Sequence, residues 1–107
     1  MPSTIAGYLG GSYEIILPMT DTLTVLDAGT NLVVGVCQGA KTLTLPAISQ
    51  MVASQNLQIE IVNSSGSGGT ITIAKNSADS TIIGQVTVLV ATGVIARHDG
   101  KHQWYIY

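Results

Sequence analysis

Short runs in which apolar and polar residues alternate recur along most of this chain, and they limit the folds that it can adopt. Alternation at every second position places one set of side chains on each side of a strand. Isoleucine, valine, threonine and tyrosine dominate the runs, and these residue types favour half-buried strands. The alternating apolar positions are Tyr13, Ile15 and Leu17; Leu23 and Val25; Leu43 and Leu45; Leu57, Ile59 and Ile61; Ile71 and Ile73; and Val86, Val88 and Val90. The pattern predicts an all-β protein.

Glycine, proline, asparagine and aspartate interrupt these runs at short intervals. Many short strands at such a spacing are typical of a β-sandwich or a closed barrel. We therefore expect a small jelly-roll-like sandwich or barrel of short antiparallel strands. A length of 107 residues suits a single domain. We place this β domain at residues 13–107, after an N-terminal arm at residues 1–12.

Two segments depart from the strand pattern. In the segment Pro46–Gln55, Ile48, Met51 and Val52 are three and four positions apart, which is the spacing of one face of a helix. Proline suits the first turn of a helix. We expect one short helix near residues 46–54 that closes an end of the barrel. The Gly- and Ser-rich segment Ser64–Gly69 is interpreted as a flexible loop that connects a hairpin.

The pair Asp99-Gly100 predicts the sharpest turn of the chain. This pair favours a two-residue type I′ turn, so residues 94–98 and 101–106 should form a hairpin. In that register His98 pairs with Lys101, and His102 lies opposite Arg97. Both histidines then lie at a solvated hairpin tip beside cationic neighbours, which disfavour a metal. The alternative is a metal site at His98 and His102.

Charged residues make up only 9% of the chain, and the net charge is -2. Soluble domains usually carry about 25% charged residues. The basic residues Lys41, Lys75, Arg97 and Lys101 do not form the cluster that a nucleic-acid partner requires. So few charges leave much neutral or apolar surface, and we interpret part of it as buried between identical subunits.

Neither membrane insertion nor secretion is expected from the sequence. No apolar run approaches the roughly 18–20 residues that span a membrane. The first eleven residues have neither the basic start nor the apolar core of a secretory signal. A single cysteine, Cys37, allows no intrachain disulfide, which fits a cytoplasm. Cys37 follows the strand-like run Val33–Val36, so we interpret it as a core residue.

No pattern in the chain indicates an enzyme, and we predict no catalytic, cofactor-binding or metal site. Serine, histidine and aspartate are present, but the G-x-S-x-G nucleophile elbow is absent from the sequence. The segment Ser64–Gly69 lacks the lysine and the following helix of a phosphate-binding loop. Six acidic residues neither establish nor exclude the carboxylate pair that glycoside hydrolysis requires.

The sequence finishes on an aromatic strand that contains Trp104, Tyr105 and Tyr107. We interpret Trp104 as packing inward and closing the core, with one tyrosine at an edge. The alternative is an aromatic contact with a partner subunit or a glycan, because aromatic side chains often supply binding hot spots.

Apolar and turn positions between residues 42 and 107 resemble those of a known family. They are Leu45-Pro46-Ala47, Asn63 followed by Gly66, Thr70 to Ile73, Asp79-Ser80-Thr81-Ile82 with Gly84, and Gly100 before Trp104-Tyr105. This order is similar to a small β-domain of tailed-phage virion proteins, which include head decoration (cement) proteins, head fibres and tail-fibre segments. The resemblance implies a phage structural protein that forms a trimer, without fixing its station in the virion.

The function expected from the residues and the resemblance together is that of a capsid decoration protein. A homotrimer would bind the major capsid protein at the outer surface of the head, after assembly in the host cytoplasm, and so stabilise the capsid. The expected contacts with the capsid or a neighbouring subunit are Thr4, Ile5, Tyr8 and Leu9. The alternative is a head-fibre or tail-fibre module that binds a receptor or a glycan.

Overall fold

The computed structural model describes residues 12–19, 23–25, 28–79 and 81–107. Ten strands and one short helix follow one another along these residues. The strands are β1 (Ser12–Met19), β2 (Leu23–Val25), β3 (Thr30–Cys37), β4 (Lys41–Thr44), β5 (Gln58–Asn63), β6 (Ile71–Ala74), β7 (Thr81–Gly84), β8 (Thr87–Val88), β9 (Thr92–His98) and β10 (Gln103–Ile106). The helix α1 (Ile48–Ala53) lies between β4 and β5. The prediction of an all-β protein with one short helix is confirmed.

The strands form two mixed sheets, and the chain passes back and forth between them. The larger sheet has the order β1-β3-β5-β9-β10-β7, and the smaller has the order β2-β4-β6-β8. The first six strands wind as a coil: β1, β3 and β5 are parallel neighbours in one sheet, and β2, β4 and β6 are parallel neighbours in the other. Parallel neighbours need a crossover, and here each crossover runs through the opposite sheet.

The strands that follow the coil add the antiparallel pairs. β9 runs antiparallel to β5 and to β10, and β8 runs antiparallel to β6. β7 is parallel to β10 at the edge of the larger sheet. The expectation of antiparallel strands is therefore correct for these three antiparallel pairs, and it is wrong for the parallel strands of the coil and for β7 with β10. Period-two alternation fixes which side chains face inward, but it is the same for both strand directions.

One hydrophobic core lies between the sheets, and the inward positions of both sheets fill it. Alternation is visible in the burial of β5, where Ile59, Ile61 and Asn63 are buried between more exposed neighbours. The fully buried side chains include Val33, Leu43, Leu45, Ile48, Met51, Ile59, Ile61, Ile71, Val88 and Trp104. Cys37 also belongs to this core, as the sequence predicted. Among the described residues, no helix has the length and hydropathy that a transmembrane span requires.

Helix α1 covers part of the core with Ile48 and Met51, whereas Val52 is 49% exposed. The expectation that all three side chains face inward is wrong for Val52. The helix ends in a Schellman motif: Asn56 N–H donates to Met51 O, and Gln55 N–H donates to Val52 O. Gln55 takes the left-handed conformation, with φ 55°, that this motif requires at the residue after the C-cap.

The Gly- and Ser-rich segment 64–69 joins the two sheets, because β5 and β6 lie in different sheets. Its interpretation as a hairpin connection is therefore wrong. Hydrogen bonds tie the segment to β3: Ser67 Oγ donates to Gly35 O and accepts from Cys37 N, and Gly68 N–H donates to Cys37 O. A Cβ at Gly69 would lie 2.3 Å from the carbonyl carbon of Gly39, so only glycine fits there.

The predicted hairpin exists as β9 and β10, but its register differs from the prediction. His98 pairs with Trp104, and Arg97 pairs with Tyr105. The connection therefore covers residues 99–102, so it is longer than a two-residue turn. The carboxylate of Asp99 explains the difference: its Oδ1 accepts N–H groups from Lys101 at 2.8 Å, His102 at 2.9 Å and Gln103 at 3.1 Å.

Candidate interaction surface

The side of the larger sheet that faces away from the core carries three rows of mostly apolar side chains. The rows follow from the strand registers, because directly paired residues project from the same side of a sheet. We call this surface the outer face and define it by Leu32, Glu60, Ile95 and Tyr107 in one row, Val34 and Val62 in the second, and Gln58, Arg97, Tyr105 and Ile83 in the third.

Several large side chains of the outer face are exposed. Ile83 is 50% exposed, Tyr105 40% and Tyr107 64%. Leu32, Val34, Val62 and Ile95 are partly exposed beside them. Seven of the ten defining positions are therefore aliphatic or aromatic. Groups of exposed apolar side chains mark sites of protein or ligand contact more often than single exposed hydrophobic residues do.

The outer face holds two charged side chains, Glu60 and Arg97, and both are exposed. Arg97 pairs directly with Gln58, which makes Glu60 its diagonal neighbour on β5. Diagonal neighbours lie about 7–8 Å apart. Within the described parts of the chain, neither charge forms a hydrogen bond or an ion pair through its side chain.

The corresponding side of the smaller sheet has a different chemistry. Thr42, Thr72 and Thr87 form a row across β4, β6 and β8, and Thr44 lies two residues from Thr42 along β4. Hydroxyl groups suit a sheet surface that faces water on one side. β4, β6 and β8 thus present threonines outward, whereas the outward side of the larger sheet is mostly apolar.

His98 is 6% exposed, so its predicted place at a solvated tip is wrong. Its Nδ1 accepts the N–H of Gly100 at 2.9 Å, so Nε2 carries the hydrogen and donates it to Asn56 O at 2.7 Å. The ring also meets Trp104 edge-on, with centroids 5.4 Å apart. Asn56 extends this polar cluster, because its Nδ2 donates to Thr30 O and its Oδ1 accepts from Asn31.

We expect the variant His98→Ala to lose about 1–3 kcal/mol of unfolding free energy, because Gly100 N–H and Asn56 O would lose their partner. His102→Ala is the matched control: His102 is exposed, and such substitutions usually change stability by about 0.5 kcal/mol or less. Urea unfolding of both variants measures the difference. Equal stabilities would contradict the buried role of His98.

A second polar cluster joins the helix to the carboxy-terminal strand. Asp79 is buried, and its carboxylate accepts the Trp104 Nε1–H at 3.2 Å and the Ile48 N–H at 3.3 Å. Trp104 itself is fully buried in the core cluster. Asp79 thus fixes the start of α1 relative to β10, and both donors lie where water does not reach them.

The loop after β9 has one strongly perturbed acid. Hydrogen bonds from the backbone of Lys101 and then of Gln103 lower the pKa of Asp99 from its ordinary value of 3.8 to about 2. The pKa of Asp99 is lower in the folded chain than in the unfolded chain. The ionised carboxylate therefore stabilises the fold above pH 3.8, and this contribution disappears as the pH falls towards 2.

We therefore expect the stability difference between the parent and Asp99→Ala to be constant near neutral pH and to shrink between pH 3.8 and about 2. Asp99→Asn is the control, since it keeps an oxygen acceptor that does not titrate. Thermal melts across this pH range provide the measurement. A difference that grows on acidification would contradict the assignment.

The remaining predicted positions lie in different parts of the chain. Thr4, Ile5, Tyr8 and Leu9 lie outside the described residues. Burial raises the pKa of the Cys37 thiol, against smaller opposite effects of Ser67 and Lys41. Among the described residues, three or more metal-ligating side chains do not cluster anywhere, and there is no pocket.

Sequence reasoning missed the roles of His98, Asn56 and Asp79, as well as the outer face. The polar partners are far apart in the chain, and no local pattern links them. The outer face did leave one signal: residues 32–37 are apolar or glycine without interruption. Such a run is typical of a strand that is covered on both sides.

The chain was also compared with known protein families, with characterised proteins and with solved structures. None of the three comparisons gives a match. The likeness to virion β-domains therefore depends only on the apolar and turn positions of residues 42–107.

Proposed function

We propose that this chain is a non-enzymatic structural protein of a tailed-phage virion. In this proposal it is a capsid decoration protein that binds the outer surface of the head as a homotrimer. The observation that carries the proposal is the outer face, whose mostly apolar side chains suit contact with other protein subunits. The small number of charges and the resemblance of residues 42–107 to virion β-domains support it.

The proposed mechanism is mechanical stabilisation. A decoration protein that contacts neighbouring subunits of the major capsid protein binds only the assembled lattice. By mass action, such binding stabilises the assembled form over separated subunits. The proposed contacts with the capsid remain Thr4, Ile5, Tyr8 and Leu9, so the outer face is left for contacts within the trimer.

Sedimentation equilibrium tests the oligomeric part of this function. We expect a species of about three times the 11.1 kDa chain mass. Burial of the partly exposed apolar side chains between subunits removes them from water, which lowers the free energy of the trimer. A chain that stays monomeric from micromolar to millimolar concentration would contradict the trimer.

Purified particles of a phage whose genome encodes this chain test where the protein lies in the virion. We expect purified particles to contain it in fixed proportion to the major capsid protein, and label on this chain to decorate heads in electron micrographs. Heads that lack the protein should break at lower temperature than decorated heads. Label confined to tails, or absence from purified particles, would contradict a decoration role.

Tyr105 and Tyr107 favour a second candidate, a head-fibre or tail-fibre module that binds a glycan. Both rings are exposed on the same side of the sheet, and aromatic rings often anchor ligands. Saturable binding of the chain to host-cell polysaccharide, lost in Tyr105→Ala, would support this candidate over decoration.

A further inference from the structure

We propose that the outer face packs against a second copy of this chain, with Glu60 of one copy beside Arg97 of the next. The proposal rests on the self-association included in the proposed function, and it adds the surface and the charged pair that direct it. It does not depend on where in a virion the protein lies.

The apolar character of the outer face is the first step. Both sheets face the same core, and β4, β6 and β8 of the smaller sheet carry a row of threonines on their outward side. The larger sheet carries leucine, valine, isoleucine and tyrosine at equivalent outward positions. A sheet exposed to water on one side normally alternates apolar and polar residues. β3 breaks that rule, because Leu32, Val34 and Val36 are apolar on the side away from the core.

The charges of the outer face identify the occupant. A basic partner would need an acidic face, and a nucleic acid or an anionic membrane would need a basic one. This face instead carries one acid and one base, Glu60 and Arg97, which are diagonal neighbours without an ion pair in the described parts of the chain. A surface with one charge of each sign can pair with copies of itself around a three-fold axis, where one neighbouring copy supplies the counter-charge of Glu60 and the other supplies that of Arg97.

The size of the face also suits an interface between copies. Six strands at about 4.8 Å spacing give a sheet roughly 25 Å wide, and the molecule measures 34 × 30 × 22 Å. A standard interface buries about 800 Å² on each partner. The exposed tyrosines Tyr105 and Tyr107 lie in two of the three rows. Aromatic side chains are enriched in protein interfaces and often supply much of the binding energy.

Charge reversal tests the pairing. Glu60→Arg and Arg97→Glu each place like charges together between copies, so we expect the dissociation constant for self-association to rise at least about tenfold. The double variant Glu60→Arg/Arg97→Glu restores opposite charges and should regain association within about threefold of the parent. Sedimentation velocity over a concentration series measures all four proteins, and circular dichroism melts check that each is folded.

One control variant and one further disruptive variant complete the experiment. Lys101→Glu changes the net charge as Arg97→Glu does, but it lies in the exposed loop after β9 and should leave association unchanged. Tyr107 is the most exposed aromatic residue of the outer face and does not belong to the core. Tyr107→Asp places a charge in the face without removing a core side chain, and it should weaken association. Folded single variants that associate as the parent does, or a double variant that stays dissociated, would overturn the proposal.

The proposal and the proposed function fail in different ways. Charge-dependent association of a protein absent from virions would leave this inference standing and remove the decoration role. A decorated head whose protein tolerates both reversals would do the opposite. A parent that remains monomeric overturns this inference, and it indicates that another part of the chain or another molecule covers the outer face.

Discussion

Trp104→Ala is expected to lower the free energy of unfolding by about 3–5 kcal/mol, the usual cost of removing a large buried aromatic side chain. Trp104 is fully buried, lies edge-on to His98 and donates to Asp79. The substitution therefore leaves a cavity and removes one of the two N–H donors of the buried Asp79 carboxylate, which keeps the Ile48 N–H. Since domains of this kind are stable by about 5–15 kcal/mol, the variant should be marginally stable.

Urea unfolding, followed by circular dichroism, measures the loss. Tyr105→Ala is the matched control, because the neighbouring residue on the same strand projects to the outer face and is 40% exposed. Its stability as a monomer should change far less. A Trp104→Ala variant within about 1 kcal/mol of the parent would mean that the core does not depend on this side chain.

Asp79→Ala is expected to have an effect of similar size, about 2–6 kcal/mol. The substitution removes the acceptor of two buried donors, Trp104 Nε1–H and Ile48 N–H. Each buried donor left without a partner costs about 1–3 kcal/mol. Asp79→Asn keeps one carbonyl oxygen in the site and should lose less.

A double-mutant cycle separates the indole contact from the helix contact. Trp104→Phe removes the indole N–H and keeps an aromatic ring in the core. If Asp79 acts through Trp104, the losses of Asp79→Ala and Trp104→Phe should not add, with a coupling of about 1 kcal/mol. Strictly additive losses would assign the whole effect of Asp79 to the start of the helix.

The inward side chains could be predicted from the sequence because alternation is a local signal. Leu43, Ile59 and Ile71 were identified in this way, and all are fully buried. Strand direction could not be predicted, because a strand has the same alternation whichever way its neighbour runs. The register of the β9–β10 hairpin was wrong because the Asp99 carboxylate binds three N–H groups and stabilises a longer loop.

The polar clusters could not be read from the sequence for a different reason. His98 is buried because Asn56, 42 residues earlier in the chain, accepts its Nε2–H. Asp79 likewise meets Ile48 across 31 residues. Histidine and aspartate are usually exposed, so burial of either depends on partners that only the folded chain brings together. The residues of the outer face could be identified only from the strand registers. The apolar run in β3 indicates, however, that this strand is covered on both sides.

The coil formed by β1 to β6 has a consequence for how such a chain can change in length. Each parallel strand forms backbone hydrogen bonds only with the strands beside it in its own sheet, so the coil grows in one direction, as quasi-one-dimensional repeat proteins do. A duplicated pair of strands, one for each sheet, would extend the core and the outer face together without disturbing the existing registers. Loss or gain of a single strand would instead reverse the pairing in both sheets. Evolution of this architecture is therefore expected to proceed by whole turns of the coil, which lengthens the binding surface in steps.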